Sequence, residues 1–361
     1  MTLHLPIVDQ SRRPATQHND LRPVPSAREA GLASEFHRWP LPGYIWPALE
    51  RRYHSIFCSE PQLRIHGGLT SQIEAWVCRR NGHISILILF ERCGRHAHVL
   101  NEVFDVSAQE LREFADAVFA HHRELLAIVV RAAFFEPSPD RYLCLSSDMS
   151  DDYQLSLTST IDEWMSSLSS RTREKIRSQL RRAQRHCPNF CFRTIASDAI
   201  EESQLRRVID FNRARMKVKR RRFGMTALDE RNLCRMMRER GLLSVIEIDG
   251  EIRAGLLCTL AGDDITMHVI AHDPAFDDLR LGFLCCVLTI EHAISRRLRC
   301  LHFLWGRYDY KTRLGGERKV LKHVLLLRGP IAVLTQPKLL VFHLCSVLRA
   351  WLRQRHQARQ G

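Results

Sequence analysis

The apolar positions of this chain change rhythm along its length, and each rhythm predicts an element. Residues 1–45 carry scattered Pro, Arg and polar residues with no period, which predicts a poorly ordered arm. From Ile73, two apolar runs, IEAWVCRRNG and HISILILFERCG, flank Asn81-Gly82, a pair suited to a two-residue hairpin turn. Ser107–Glu124 opens with a capping residue and places Glu110 three positions on. It then spaces Leu111, Phe114, Ala115, Val118 and Phe119 by ones, threes and fours, which predicts a capped amphipathic helix. LLAIVVRAAFF and RYLCLSS, parted by EPSPD, predict two more strands, so this part reads β-β-α-β-β.

The rest of the chain repeats the theme on a larger scale. Met165, Leu168, Thr172, Ile176, Leu180 and Ala183 share one face of a helix expected from Thr160 to about His186. The strand NFCFRTI follows, then helices over 199–219 and 226–240, then strands LLSVIEI, IRAGLLCTLAG and DITMHVIAH, the first two joined at Asp249-Gly250. Leu279–Leu298 is apolar enough to be a buried helix. The run Cys300–Leu304 and the run from Val320 to Leu327 read as strands, with WGRYDYKTRLGG crossing between them. Residues 336–359 form a last helix with Leu340, Leu344, Val347, Leu348 and Trp351 on one face and Arg349, Arg353, Arg355 and Arg359 at a cationic end. The expected fold class is α/β (α+β), with two tandem halves, each a mixed, mainly antiparallel sheet flanked by helices. The expected boundaries are an arm at 1–45, an N-terminal half at 46–155, a C-terminal half at 156–330 and a basic amphipathic helix at 331–361. No short-period repeat is visible, which excludes a solenoid.

Charge narrows the partners. A formal charge of +14 and a pI near 9.6 favour anions: cofactor phosphates, sugar nucleotides, nucleic acid or an acidic membrane leaflet. Arg173, Arg177, Arg181 and Arg185 form a four-residue row on the helix of 160–186, and a second basic run spans Arg213–Arg222. Such rows read as a solvated face, as a funnel for a phosphorylated ligand or as phosphate contacts to nucleic acid. Against nucleic acid, there is no helix-turn-helix signature, zinc-finger spacing or aromatic ribonucleoprotein motif. The 12 cysteines, with no apolar signal segment near the N-terminus, fit free thiols in a reducing cytoplasm. Cys187 and Cys191, Cys285-Cys286 and His121-His122 each lack a second ligand pair, so no metal is expected. No apolar run reaches the ~20 residues of a membrane span. Membrane contact would be peripheral, through the last helix, whose other reading is docking on the body of the protein or on a second subunit.

Several segments resemble the GNAT (Gcn5-related N-acetyltransferase) superfamily. The resemblance is to its bacterial branch of BioF2-like or cellulose-biosynthesis (CelD-like) acetyltransferases, itself similar to Fem-type aminoacyltransferases. The carrying residues are Ser170-Arg171-Thr172-Arg173 with Ile176-Arg177 and Arg181-Arg182; Arg213-Ala214-Arg215 with Phe223; the hairpin LLSVIEIDGEIRAGLLCTLAGD; DPAFDDLRLGFL; and WGRYDYKTRLGG. The hairpin AWVCRRNGHISILILF fits the start of the branch, so the resemblance covers roughly residues 50–328. It implies two GNAT-like halves, the second binding acyl-CoA, with acetyl-CoA the default. The implied acceptor is an anionic small molecule, an amine on a sugar or sugar nucleotide of surface-polysaccharide synthesis. Two rivals are a Fem-type transferase using charged tRNA and a non-catalytic basic binding protein on a decayed GNAT fold.

The resemblance also assigns residues. Pyrophosphate would sit on backbone N–H groups where the helix after Asp278 opens, at Arg280, Leu281 and Gly282, with pantetheine along the strand holding Val269 and Ile270. Arg173, Arg177, Arg215, Trp305 and Gly306 are candidate acceptor contacts, Trp305 reading first as a packing residue. Lys311, Tyr310 and Asp309 are the candidate catalytic residues. Lys311 reads either as an exposed turn lysine or as a point charge for an anionic acceptor or developing oxyanion. The chain departs from the pattern where Arg280-Leu281-Gly282 replaces Ser-Pro-Gly, where His302 replaces an acid, and where Tyr308 replaces the acid two after Gly306. The proton acceptor stays open among Asp309, Tyr310, His302, His268 and water.

Overall fold

A computed structural model describes residues 8–9, 33–137, 141–218, 220 and 223–358. It divides into two compact units: unit 1 draws on residues 1–31, 155–303 and 309–316, and unit 2 on 32–154, 304–308 and 317–361. In chain order, β1 (Val8–Asp9), β2 (Ala33–Arg38), α1 (Ile45–Tyr53) and α2 (Glu60–Ile65) precede the hairpin of β3 (Ile73–Arg80) and β4 (His83–Cys93). Asn81 and Gly82 turn that hairpin with φ of 52° and 79°, the left-handed pair a tight turn needs. β5 (His96–Val99) and β6 (Phe104–Asp105) lead to α3 (Ala108–His121), where Ser107 and Glu110 form the expected reciprocal cap. β7 (Ala127–Phe134) and β8 (Leu143–Ser156) follow.

Next come α4 (Ile161–Ser167), α5 (Ser170–His186), β9 (Cys191–Ala196), α6 (Glu202–Val218) and α7 (Ala227–Arg240). The meander of β10 (Gly241–Ile248), β11 (Glu251–Ala261) and β12 (Asp264–His272) is followed by α8 (Leu281–Ser295), β13 (Cys300–His302) and α9 (Asp309–Arg313). β14 (Glu317–Leu327), α10 (Pro330–Thr335) and α11 (Pro337–Ala358) complete the described chain. The single helix expected over 160–186 is two. Ser169 stops the first and caps the second, its side chain accepting from Thr172 N, while Leu168 adopts an extended backbone between them.

Unit 2 holds the strand order β8-β14-β7-β5-β4-β3-β2, with β6 beside β7. All its pairs are antiparallel except β5 and β6 with β7. Alternate residues of β3 and β4 feed two cores: Trp76, Ile88 and Phe90 meet Phe114 and Val118 of α3, while Ala75, Val77, Leu87 and Leu89 meet Ile45 and Leu49 of α1. A sheet buried on both faces needs apolar residues at every position, which explains the unbroken runs in these strands. The expected arm ends earlier than residue 45. Ala33–Arg38 pairs along β3, Val8–Asp9 pairs parallel to β9, and the other residues before Ala33 lie outside those described.

Unit 1 holds the order β1-β9-β10-β11-β12-β13. α6 and α7 cover it through Leu205, Val208, Ile209 and Met237 on Leu243, Val245, Leu257, Val269 and Ala271. Gly255 lets α6 approach, since a Cβ there would fall 2.3 Å from a methyl of Val208. Each unit is thus a mixed, mainly antiparallel sheet flanked by helices, as the sequence predicts. The expected C-terminal half, 156–330, differs at its end: β14 pairs with β7 and β8, so the chain from Glu317 onward belongs to unit 2.

Candidate functional site

Among the described residues, β12 has a strand on its far side only at its start. β13 pairs with Asp264, Ile265 and Thr266 alone, and the pairing with β11 shifts register at Leu257/Cys258. From Met267 to His272, among the described residues, no strand pairs with β12 on that side, and Arg215 Nη1 donates to the Ile270 carbonyl at 3.5 Å. Past His272 the chain makes a short turn in which Asp273 accepts from Ala275 N at 3.0 Å and from Arg253 Nη1 at 3.0 Å. Arg280, at φ 55°, then caps α8 with no side-chain hydrogen bond, and the first turn holds no acid. The first turn of this 15-residue helix thus contributes no carboxylate of its own to its positive end.

A cavity of about 350 Å³ opens at this helix start, lined by Lys175, Gln179, Arg215, Ile270, His272, Arg280, Gly282, Phe283, Tyr310 and Arg313, all from unit 1. Four of these are cations and none is a carboxylate. Gly282 is sterically required as the cavity stands, because a Cβ there would fall 2.9 Å from His272 Nδ1. His272 Nε2 lies 2.9 Å from Asp277 Oδ1, which fixes the ring. The Gln179 side-chain oxygen is buried with no hydrogen-bond partner, an acceptor still to be satisfied. Tyr310 packs edge-on to Phe303 with ring centroids 6.1 Å apart, and Arg313 pairs with Asp309 at 3.1 Å. The arrangement can hold a phosphorylated group at the helix start and an extended chain along β12.

Five residues expected from the sequence meet in this cavity: Ile270, Arg280 and Gly282 from the cofactor set, Arg215 from the acceptor set and Tyr310 from the catalytic set. The others stand elsewhere. Val269 packs in the core under α6, and Leu281 is fully buried. Arg173 donates to the carbonyls of Ser166 and Leu168, which ties the break between α4 and α5, and Arg177 is exposed on α5. Asp309 points its carboxylate to solvent beside Arg313. Lys311, read from the sequence either as an exposed turn lysine or as a point charge for the acceptor, is not exposed: it is 1% exposed inside unit 1 and does not line this cavity. Trp305 and Gly306 belong to unit 2, where Trp305 lies 5.7 Å from the ring of Phe57.

Two of the open proton acceptors are also engaged away from the cavity. His302 lies buried 2.9 Å from Asp264, which Arg299 also binds at 2.6 Å, and His268 lies 2.7 Å from Thr259 Oγ1. Lys175, Gln179, His272, Phe283 and Arg313 were not singled out by the sequence. Lys175 and Gln179 sit one turn apart on α5 between members of the arginine row, and that spacing was the available signal.

Among the described residues, two clusters bring three ligand-type atoms within 4.8 Å: Glu74, His121 and His122, and Asp264, Cys300 and His302. Each acid is already ion-paired, Glu74 to Arg92 at 2.7 Å and Asp264 to Arg299. A second cleft, about 580 Å³ between α6 and α7, is rich in arginine, but its carboxylates are paired internally: Glu202 with Arg206 and Arg238, Asp210 and Glu230 with Arg213. It reads as a clamp between two helices.

Residues 170–312 match the family model of the acetyltransferase (GNAT) domain. Among solved structures, the chain is similar to FemX at 10% identity, over 83% of this chain and 99% of that one, with a TM-score of 0.58. It is also similar to L-PGS from Bacillus licheniformis (12% identity, 85% and 97% covered, TM-score 0.46). A tandem GNAT protein from the clavulanic acid biosynthesis pathway is a further neighbour (11% identity, 82% and 99% covered, TM-score 0.41). At such identities the likeness to FemX is one of fold. No curated protein matches the sequence.

Proposed function

We propose that the protein is an acyl-CoA-dependent N-acyltransferase whose cofactor binds in unit 1 along β12 and at the start of α8. The observation that carries this reading is the continuity of three features: the open edge of β12, the uncapped start of α8 and a cavity with four cations and no carboxylate. The thioester chain would lie against the backbone of Met267–His272. Its pyrophosphate would take the N–H groups opened by Gly282, with Arg280, Lys175, Arg215 and Arg313 supplying charge. Gln179 would accept a hydrogen bond from an amide N–H of the bound chain.

The reaction is attack of a neutral amine on the thioester carbonyl. The C–S bond breaks as the C–N bond forms, the amine loses one proton, and the departing thiolate gains one. Tyr310 is the hydroxyl among the lining residues and would protonate the sulfur. The acceptor we take to be an amine on an anionic small molecule, such as an amino-sugar phosphate or a sugar nucleotide, a reading supported by the excess positive charge.

Calorimetry with acetyl-CoA and a series of longer acyl-CoAs tests the proposal. The wild type should bind at least one of them, and Gly282→Val should abolish binding by driving a side chain into His272. No binding across the series sinks the reading. If charged tRNA shifts in its place, with steep salt dependence, the cationic cavity serves aminoacyl transfer.

A further inference from the structure

Of the apolar face the sequence groups on the last helix, Leu340 docks on unit 2 while Leu344, Val347 and Leu348 are exposed. α10 and α11 attach to unit 2 through Ala332, Val333, Leu339 and Leu340, which join Ala127, Val129, Leu325 and Leu327 of β7 and β14. His343 continues this seam, stacked 6.0 Å from His323 of β14, and Ala350 is buried a further two turns on. Opposite that seam, Val341, Leu344, Leu348 and Leu352 are 58%, 65%, 55% and 52% exposed. Their steps of three, four and four make one continuous row along the helix. Ile331 and Leu334 of α10 extend the bare surface at 66% and 81% exposure. Eight of the fifteen exposed large hydrophobic side chains among the described residues fall between positions 331 and 352.

Charge says what covers this surface. Glu317 is the last acid in the sequence, and the 32 residues from Pro330 to Gly361 hold one Lys and four Arg with no acid at all. Lys338 and Arg349 occupy helix positions on the flank of the apolar row. Pairing this helix with a second copy would set two purely cationic segments together. An anionic lipid surface fits both properties at once, because leucine side chains enter the acyl boundary while bordering cations meet headgroup phosphates. Among the described residues no helix is long and apolar enough to cross a membrane, which leaves a helix lying in the interface plane.

We propose that α10–α11 is a membrane-surface anchor that binds unit 2 to anionic bilayers. The proposal stands apart from the acyltransferase reading, since it uses no residue of the cavity. Co-sedimentation of the full chain with vesicles of phosphatidylcholine, with and without about one-third phosphatidylglycerol, tests it. Partition should be about tenfold or more stronger on the anionic vesicles and should fall with added salt. The double variant Leu344→Glu, Leu348→Glu should lose about tenfold or more of that partition, with its thermal melt unchanged because both side chains are solvent-exposed. Absence of partition on anionic vesicles, or equal partition of wild type and variant, overturns the anchor. So does a concentration-dependent dimer, seen by sedimentation velocity and dissolved by the same substitutions without any vesicle binding, which would assign the face to a second copy.

Discussion

Glu291 is the one acid of α8, a helix otherwise apolar nearly all round, and burial pushes its carboxyl up to about 7. The proton is held more tightly in the folded chain than in the unfolded one. Stability from this group is therefore intact below its ordinary value near 4.5 and is lost as pH rises through 7. Glu291→Gln should leave stability nearly unchanged at pH 4 and raise it by roughly 3 kcal/mol at pH 8, measured by urea unfolding of both chains. A variant no more stable than wild type at pH 8 would show the carboxylate has a partner. At this scale the sequence was informative about backbone and poor about side chains. Gly282 was legible because a missing Cβ leaves a mark in any sequence. Lys311 was not, since a lysine in a short polar loop looks the same whether its ammonium faces solvent or, as here, the interior of unit 1.

Elements were legible where local chemistry fixes them. The Asn81-Gly82 and Asp249-Gly250 turns and the Ser107–Glu110 cap all form as read, because each depends on residues within four positions of one another. The break at Leu168 was missed because the apolar period runs straight across it, while Ser169 competes for the backbone N–H groups that the continuing helix would have used. α11 forms where the sequence places it, and of the face read there Leu340 docks while Leu344, Val347 and Leu348 are exposed. The docking side carries His343 against His323. Burial drives His323 down to about 4, with His343, Arg131 and His98 adding positive charge nearby. A histidine held neutral in the folded state binds fewer protons than when unfolded. Unit 2 should thus lose up to roughly 3 kcal/mol as pH falls from 6.5 towards 4. His323→Leu should flatten that slope in thermal melts taken across the window, and an unchanged slope would place its origin in other groups.

For the whole chain, element order predicted the fold class but not how the elements divide between the units. β14 follows α9 and the candidate site directly, so reading along the sequence assigns it to the C-terminal half. Its partners lie far away in the chain. Glu317 to Leu327 pairs with Gln154 to Leu143 on one side and, from Leu321, with Phe134 to Ala127 on the other. An apolar strand states that it is buried between neighbours without stating which neighbours, and pairing across such separations has no local signature. The consequence is testable by where the chain is cut. Ending it after Gly316 keeps every strand of unit 1 but leaves β7 and β8 with exposed edges and the core around Val324 and Leu326 unfilled. Ending it after Arg328 keeps β14 and removes only α10 and α11. Limited proteolysis should then cleave 32–154 rapidly in the first shortened chain and leave it protected in the second. Protection in the first would mean that β7 and β8 find another partner, and that the register between β14 and these strands does not hold unit 2 together.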